Sequence, residues 1–154
     1  MRHLLELQGP PAVVGALAAG LMWLAAHRAP ALAIQIPWRD WIAAGLVVLG
    51  SIIAVSGIIS FRRARTTVNP TRPTTASSLV VSGIYRFTRN PMYVGFALVL
   101  LALAVHLANA LAVALVPCFV LYLDRFQIRA EERALASLFP REFAAYTSRV
   151  RRWL

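Results

Sequence analysis

The run from Pro91 to Leu123 holds 33 residues without one charge, and a second run, Trp41 to Phe61, holds 21. Uncharged apolar stretches longer than about 18 residues suit a lipid core rather than the interior of a small soluble domain. The chain has 154 residues, is 59% hydrophobic and only 14% charged, whereas soluble domains carry about a quarter charged residues. These features predict an all-α integral membrane protein. The 33-residue run is too long for one span and just long enough for two. "HLANA", His106 to Ala110, is the natural reversal, so a helical hairpin over 91–123 is expected, with Pro117 kinking its second arm. Each arm lies near the lower length limit of roughly 17 residues, so a hairpin that only partly crosses is the alternative.

The remaining segments follow from composition. "PAVVGALAAGLMWLAA" (11–26) reads as a short first span opening on Pro11, a residue suited to the first helical turn. The second span, over 41–61, carries Gly45, Gly50, Ser51, Ser56 and Gly57, small residues that let a neighbouring helix approach. Residues 62–78 are rich in Thr and Pro and predict an extended loop, and "LVVSGIY" a brief return to the membrane surface with a turn at Ser82-Gly83. In the tail, Phe143, Tyr146, Val150 and Trp153 recur at spacings of 3 or 4, which predicts one stripe of an amphipathic helix. One membrane domain results: two N-terminal spans (11–61), a loop and motif (62–90), the hairpin (91–123) and a tail (124–154). Four spans plus the tail are the expected architecture.

The net charge of +10 does not indicate nucleic acid. All the basic residues are arginines, and they flank the apolar runs. Only Arg28 and Arg39 fall on one side of the expected bundle, so the positive-inside rule puts both termini, the loop and the tail in the cytosol. One cysteine, Cys118, and three scattered histidines form no disulfide framework and no metal-ligand spacing. Glu6 interrupts the N-terminal stretch, which does not read as a signal peptide.

Two constellations carry the chemistry. The first is "GIYRFTRNPMYVG", Gly83 to Gly95. Asn90 is a favoured N-cap residue and Pro91 a favoured first helical residue, so a helix begins there and presents its unpaired N–H groups beside Arg86 and Arg89. A capped span with interfacial Tyr and Arg anchors would use the same residues. The second is "LDRFQIRAEERAL", in which Asp124, Glu131 and Glu132 crowd three of the chain's six carboxylates into nine positions. Adjacent glutamates on a helix point about 100° apart, so one can pair with an arginine while the other faces a cavity. First-turn glutamates favoured by the helix dipole are the simpler alternative. The two constellations stand at the entrance and exit of one hairpin, which predicts that they are neighbours in space.

In order and spacing, "SGIYRFTRNPMYVG", a hairpin, and "DRFQIRAEERALASLFPREFAAYTSRVRRW" resemble the membrane methyltransferases of the isoprenylcysteine carboxyl methyltransferase and phospholipid methyltransferase superfamily. The resemblance covers roughly Phe61 to Leu154. It implies S-adenosylmethionine as methyl donor, bound by the last helices and the tail. It places Tyr85, Arg89, Asn90, Pro91, Tyr93 and Gly95 in the first motif, Glu131 and Glu132 as the acidic pair, and Tyr146, Arg149 and Trp153 in the tail. Within that frame, Arg89 and Arg125 are expected to orient an anionic substrate group and the two glutamates to hold the donor. Asn90 departs from the family's usual histidine and cannot titrate near neutral pH. The implied activity is methyl transfer in a bacterial inner membrane to a lipophilic carboxylate, thiol or amine. The implied partners are the bilayer and a lipid-like substrate, and oligomeric state is left open. A non-catalytic membrane subunit or lipid-binding adaptor with the same fold is the competing expectation.

Overall fold

The computed structural model describes residues 11–64 and 78–154, so the N-terminal stretch before Pro11 and residues 65–77 of the extended loop expected over 62–78 lie outside the described residues, while Arg62 and Arg63 continue the second helix rather than opening that loop. Every regular element among the described residues is helical. Helix α1 spans Pro11–Arg28 and opens on Pro11, where a missing N–H is harmless. A 3₁₀ turn, Pro30–Leu32, leads through an extended connection to α2, Arg39–Arg63. Helix α3 spans Pro91–Leu107, the first arm of the expected hairpin. Ala108 closes it in the left-handed conformation (φ 48°), and its N–H reaches the Ala104 carbonyl at 3.0 Å. Asn109 then caps α4, Ala110–Tyr122: its side-chain oxygen accepts from Leu111 N–H at 3.0 Å while its amide donates to the Ala29 carbonyl at 2.9 Å. One buried side chain thereby caps a helix and ties the hairpin tip to the end of α1.

The second arm does not end where its charges begin. A π-helical turn, Leu123–Ile128, joins α4 to α5, Arg129–Leu138, and the three form one continuous helix, Ala110–Leu138. The expected boundary at 123/124 falls inside it. Helix α6 is short, Pro140–Thr147, and the chain then runs without regular structure to Leu154. The tail therefore departs from the expected single stripe. Phe143 and Tyr146 share α6, but Val150 and Trp153 lie beyond its end.

Helix α3 packs against α1, α2 and α4. Its contact with α2 is the tightest: a Cβ placed on Gly95 would lie 2.6 Å from the Gly50 carbonyl oxygen and 2.7 Å from the Ala54 Cβ. Two glycines facing each other let the backbones touch. Met22, Tyr93, Leu100, Ala104, Phe119 and Leu123 form the main core between α1, α3 and α4. A second, smaller core joins Val80 and Tyr85 to Phe143 and Tyr146. Within "LVVSGIY", Val80 and Tyr85 are thus buried against the tail, while Val81, Ser82 and Gly83 stay exposed. Gly83 has a φ of 64°, and a Cβ there would meet Ser60 Oγ at 2.7 Å, so glycine is required twice over.

Among the described residues, two helices, α2 and the 110–138 helix, are long and apolar enough to cross a membrane; α3 is a shorter apolar helix. Trp41, Val48, Ile52 and Val55 form an exposed apolar stripe along α2, and Val13, Leu17 and Leu21 another along α1. Apolar faces of this length are at home in hydrocarbon and out of place in water. The glycine seam yields a test by thermal unfolding in detergent. Gly95→Ala is expected to destabilise by about 1–3 kcal/mol through overpacking. Gly45→Ala, where no atom lies within 4 Å of the added carbon, is expected to be neutral or slightly stabilising.

Candidate functional site

The segment before α3 and the turn after α4 meet at one end of the bundle, where the first side-chain contact is ionic. Arg89 donates from Nη2 (2.8 Å) and Nε (3.2 Å) to Glu132 Oε1. Arg152, from the end of the chain, donates from Nε to the same oxygen at 3.2 Å and from Nη2 to Glu132 Oε2. Its remaining nitrogen, Nη1, donates to Asp124 Oδ1 at 3.0 Å. The side chains of Arg89 and Glu132 are 13% and 16% exposed, enough shielding for the charge-assisted bonds to hold their geometry. The hydrogen bond to Glu132 also makes the Arg152 guanidinium hold its proton more tightly than usual.

The π turn sets the direction of this cluster. The Arg129 N–H reaches back to the Asp124 carbonyl, a five-residue step, and Arg129 Nε bonds Asp124 Oδ2 at 3.3 Å. The widened turn also aims Gln127, which is buried, at Glu131, with Nε2 donating to Oε1 at 3.1 Å. Tyr93, one turn into α3, donates its hydroxyl to the same oxygen. The glutamates thus divide their partners: Glu132 is held by two cations, and Glu131 accepts from a phenol and an amide. π-turns are enriched at functional sites because they re-aim side chains in this way.

The chain after α6 is strapped across the motif. Arg89 Nη1 donates to the carbonyls of Thr147 (3.4 Å) and Val150 (2.8 Å), and the Arg89 backbone N–H to the Arg151 carbonyl (3.0 Å). Thr88 Oγ1 donates to the Arg152 carbonyl at 3.2 Å, and the Asn90 amide donates to the same carbonyl at 2.9 Å. Asn90 therefore occupies the N-cap position of α3, but its side chain makes no capping bond to the helix. It turns outward because the strap's carbonyl needs a donor. The expectation of a side-chain cap is corrected on this point.

Of the remaining residues singled out by sequence, Pro91 is buried as the first residue of α3. Tyr85 is buried edge-on against Phe61, and its carbonyl accepts the Tyr146 hydroxyl at 2.7 Å. Burial pushes both phenols up, so both stay protonated, and the Tyr146 hydroxyl is the donor of this bond. Gly95 faces α2 in the glycine seam. Arg125 is exposed and shares a cleft of about 420 Å³ with Arg129, Glu132, Arg133 and Arg152. Arg149 lies elsewhere, with its Nε on the Ala145 carbonyl at 3.0 Å, in a second cleft between α6 and the segment before α3. Trp153 packs on the main core. Sequence reading passed over Arg152, Gln127 and Thr88 as site residues. The "RVRR" run was the signal for Arg152, but four positions offered three arginines and nothing to choose between them.

The role of Asn90 can be read from one substitution. A capping oxygen would be served equally well by aspartate. A donor facing a carbonyl would not, so Asn90→Asp is expected to destabilise by about 1–3 kcal/mol in denaturant unfolding and to loosen the strap to proteolysis.

The geometry can be set beside known proteins. A family model for phospholipid methyltransferases matches residues 38–142, from the start of α2 into α6. An uncharacterized protein of Haemophilus influenzae is 44% identical over 63 residues, 41% of this chain and 100% of that protein. Protein-S-isoprenylcysteine O-methyltransferase B of Arabidopsis thaliana is 28% identical over 116 residues, 73% of this chain and 57% of the plant protein. The chain thus spans little more than half the length of the plant relative. The family match covers more than half of the chain and includes Arg89, Tyr93, Glu131 and Glu132. The chain belongs to the phospholipid methyltransferase family.

Proposed function

We propose that the chain is an integral membrane methyltransferase that uses S-adenosylmethionine on a membrane-partitioning acceptor with a carboxylate, thiol or amine. The observation that carries this reading is the meeting of Arg89, Tyr93, Glu131, Glu132 and Arg152 at the mouth between α3 and the 110–138 helix, the first four of them inside the region matched by the family. The residues suit the donor's charges. Arg129 would take its carboxylate from the 420 Å³ cleft, whose volume falls in the usual range for small-molecule sites of about 300–1,000 Å³. Glu131, bonded only by neutral donors among the described contacts, would take its amino group. The donor supplies a methyl group already activated on a sulfonium, so the chain's part is alignment and exclusion of water. Tyr93 and Gln127 fix Glu131, and the strap covers the motif. Arg89 is committed to Glu132 and to two strap carbonyls, so its proposed part in the reaction is to hold the wall, leaving Arg125 as the cation free to orient an anionic acceptor.

The arginine-rich end is assigned to the cytosol of a bacterial inner membrane, with α1, α2, α3 and the 110–138 helix crossing or nearly crossing the bilayer. The competing reading, a non-catalytic subunit, draws on the same cluster: Glu132 and the two arginines satisfy one another without a ligand.

Calorimetry on detergent-purified protein separates the two. Micromolar binding of S-adenosylmethionine is expected, weakened more than about tenfold by Glu131→Gln, which leaves the Glu132 latch intact. A folded, lipid-supplemented protein that binds no donor would overturn the methyltransferase reading and leave the subunit in its place.

A further inference from the structure

The second cleft is not part of the ion-pair cluster, and its arginines differ from those of the first. It has a volume of about 590 Å³ and lies between α6 and the segment that leads into α3. Leu79, Val81 and Val150 give it apolar walls, and Arg86, Arg149 and Glu142 bring charge. Arg89, Arg129 and Arg152 each meet a carboxylate, but neither Arg86 nor Arg149 forms an ion pair among the described residues. The Tyr146 hydroxyl, also at this cleft, is spent on the Tyr85 carbonyl. The cleft therefore offers two guanidinium groups without a carboxylate partner among the described residues, Arg149 bonding only the Ala145 carbonyl through Nε, against one carboxylate and above an aliphatic lining. Val81 is 46% exposed, and Phe87, next to Arg86, is 72% exposed. Apolar side chains left bare beside arginines fit the boundary where acyl chains give way to headgroups.

We propose that this cleft binds the phosphate of an anionic membrane lipid, with Arg86 and Arg149 on the phosphate and the acyl glycerol portion over Leu79, Val81 and Val150. Guanidinium groups form paired, charge-assisted hydrogen bonds to phosphate, and basic residues close to a bilayer surface favour anionic over zwitterionic lipids. Glu142 sits at the same rim and narrows the choice to a ligand whose negative charge both arginines reach. The site is distinct from the one assigned to the methyl donor and does not depend on it. Bound lipid would pin the strap, because Arg149 and Val150 lie only two to three residues before Arg152.

The test is thermal unfolding of the full chain in neutral detergent, titrated with phosphatidylglycerol, with phosphatidylcholine of the same acyl chains, and with glycerol phosphate. Phosphatidylglycerol is expected to raise Tm saturably and phosphatidylcholine to do so only at much higher concentration. The variant Arg86→Gln/Arg149→Gln, unfolding normally without lipid, is expected to need on the order of tenfold more phosphatidylglycerol. Arg141→Gln removes one exposed charge from the start of α6 outside the cleft and is expected to respond as the parent does. Equal response to the two lipids, or an equal loss in Arg141→Gln, would overturn the proposal by reducing it to general surface charge. Glycerol phosphate reproducing the whole shift would overturn the assignment to lipid and make this a site for soluble anions. None of these outcomes involves S-adenosylmethionine, so failure here and failure of the methyltransferase reading are separable.

Discussion

Glu132 is the point on which this end of the molecule depends. Its two oxygens collect Arg89 from the segment before α3 and Arg152 from the last residues of the chain, and Arg152 passes on to Asp124 at the π turn. With Arg129 on Asp124, three cations meet two carboxylates in a partly shielded volume. Every bond is charge-assisted, and the planar guanidinium groups fix direction as well as distance. Such a pair need not add much net stability against an apolar substitute, since its desolvation is costly. Its consequence is geometric: three pieces of chain far apart in sequence are held in one register, with Glu131, Tyr93 and Gln127 alongside.

What makes the register possible lies one turn deeper in α3. The contact of Gly50 and Gly95 draws α2 and α3 together until backbone meets backbone. Gly95 belongs to the motif in sequence but faces α2 in space, so its contribution to the site is to place the residues ahead of it. At the far end of the bundle, Asn109 ties the hairpin tip to the end of α1, and Asp40 pairs with His106 at 2.9 Å. The helices are thereby fixed at both ends. The Glu132 ion-pair cluster and its 420 Å³ cleft lie at the opposite, arginine-rich end.

Much of this frame was legible because it depends on local rules. Pro11 and Pro91 marked helix starts, and "HLANA" marked the reversal, since proline, a left-handed residue and an asparagine cap act through their own backbones. The proximity of the two constellations followed from hairpin topology alone. The remainder depends on contacts that no periodicity encodes. Charge at Asp124 suggested that the helix leaves the apolar layer there, but a π turn carries it on to Leu138, with Asp124 and Glu131 bonded to Arg152 and Tyr93 on other segments and Gln127 to Glu131 within the helix. The spacing of Val150 and Trp153 continued a helical stripe, yet α6 stops at Thr147 and the chain beyond it presents the carbonyls of Val150, Arg151 and Arg152 to Arg89 and Asn90.

The same contacts bear on the departure at Asn90. In the resemblance, histidine stands at this position, and its replacement by a group that cannot titrate casts doubt on any role as a base. Here the side chain is a donor: its amide meets the Arg152 carbonyl, beside the Thr88 hydroxyl that meets the same oxygen. A neutral imidazole also carries one N–H donor, so both residue types can close the strap in this way. In this structure the position supplies an N–H to the strap carbonyl. An asparagine that keeps the latch closed is therefore compatible with a working site, and the argument for an inactive relative loses its main support in the sequence.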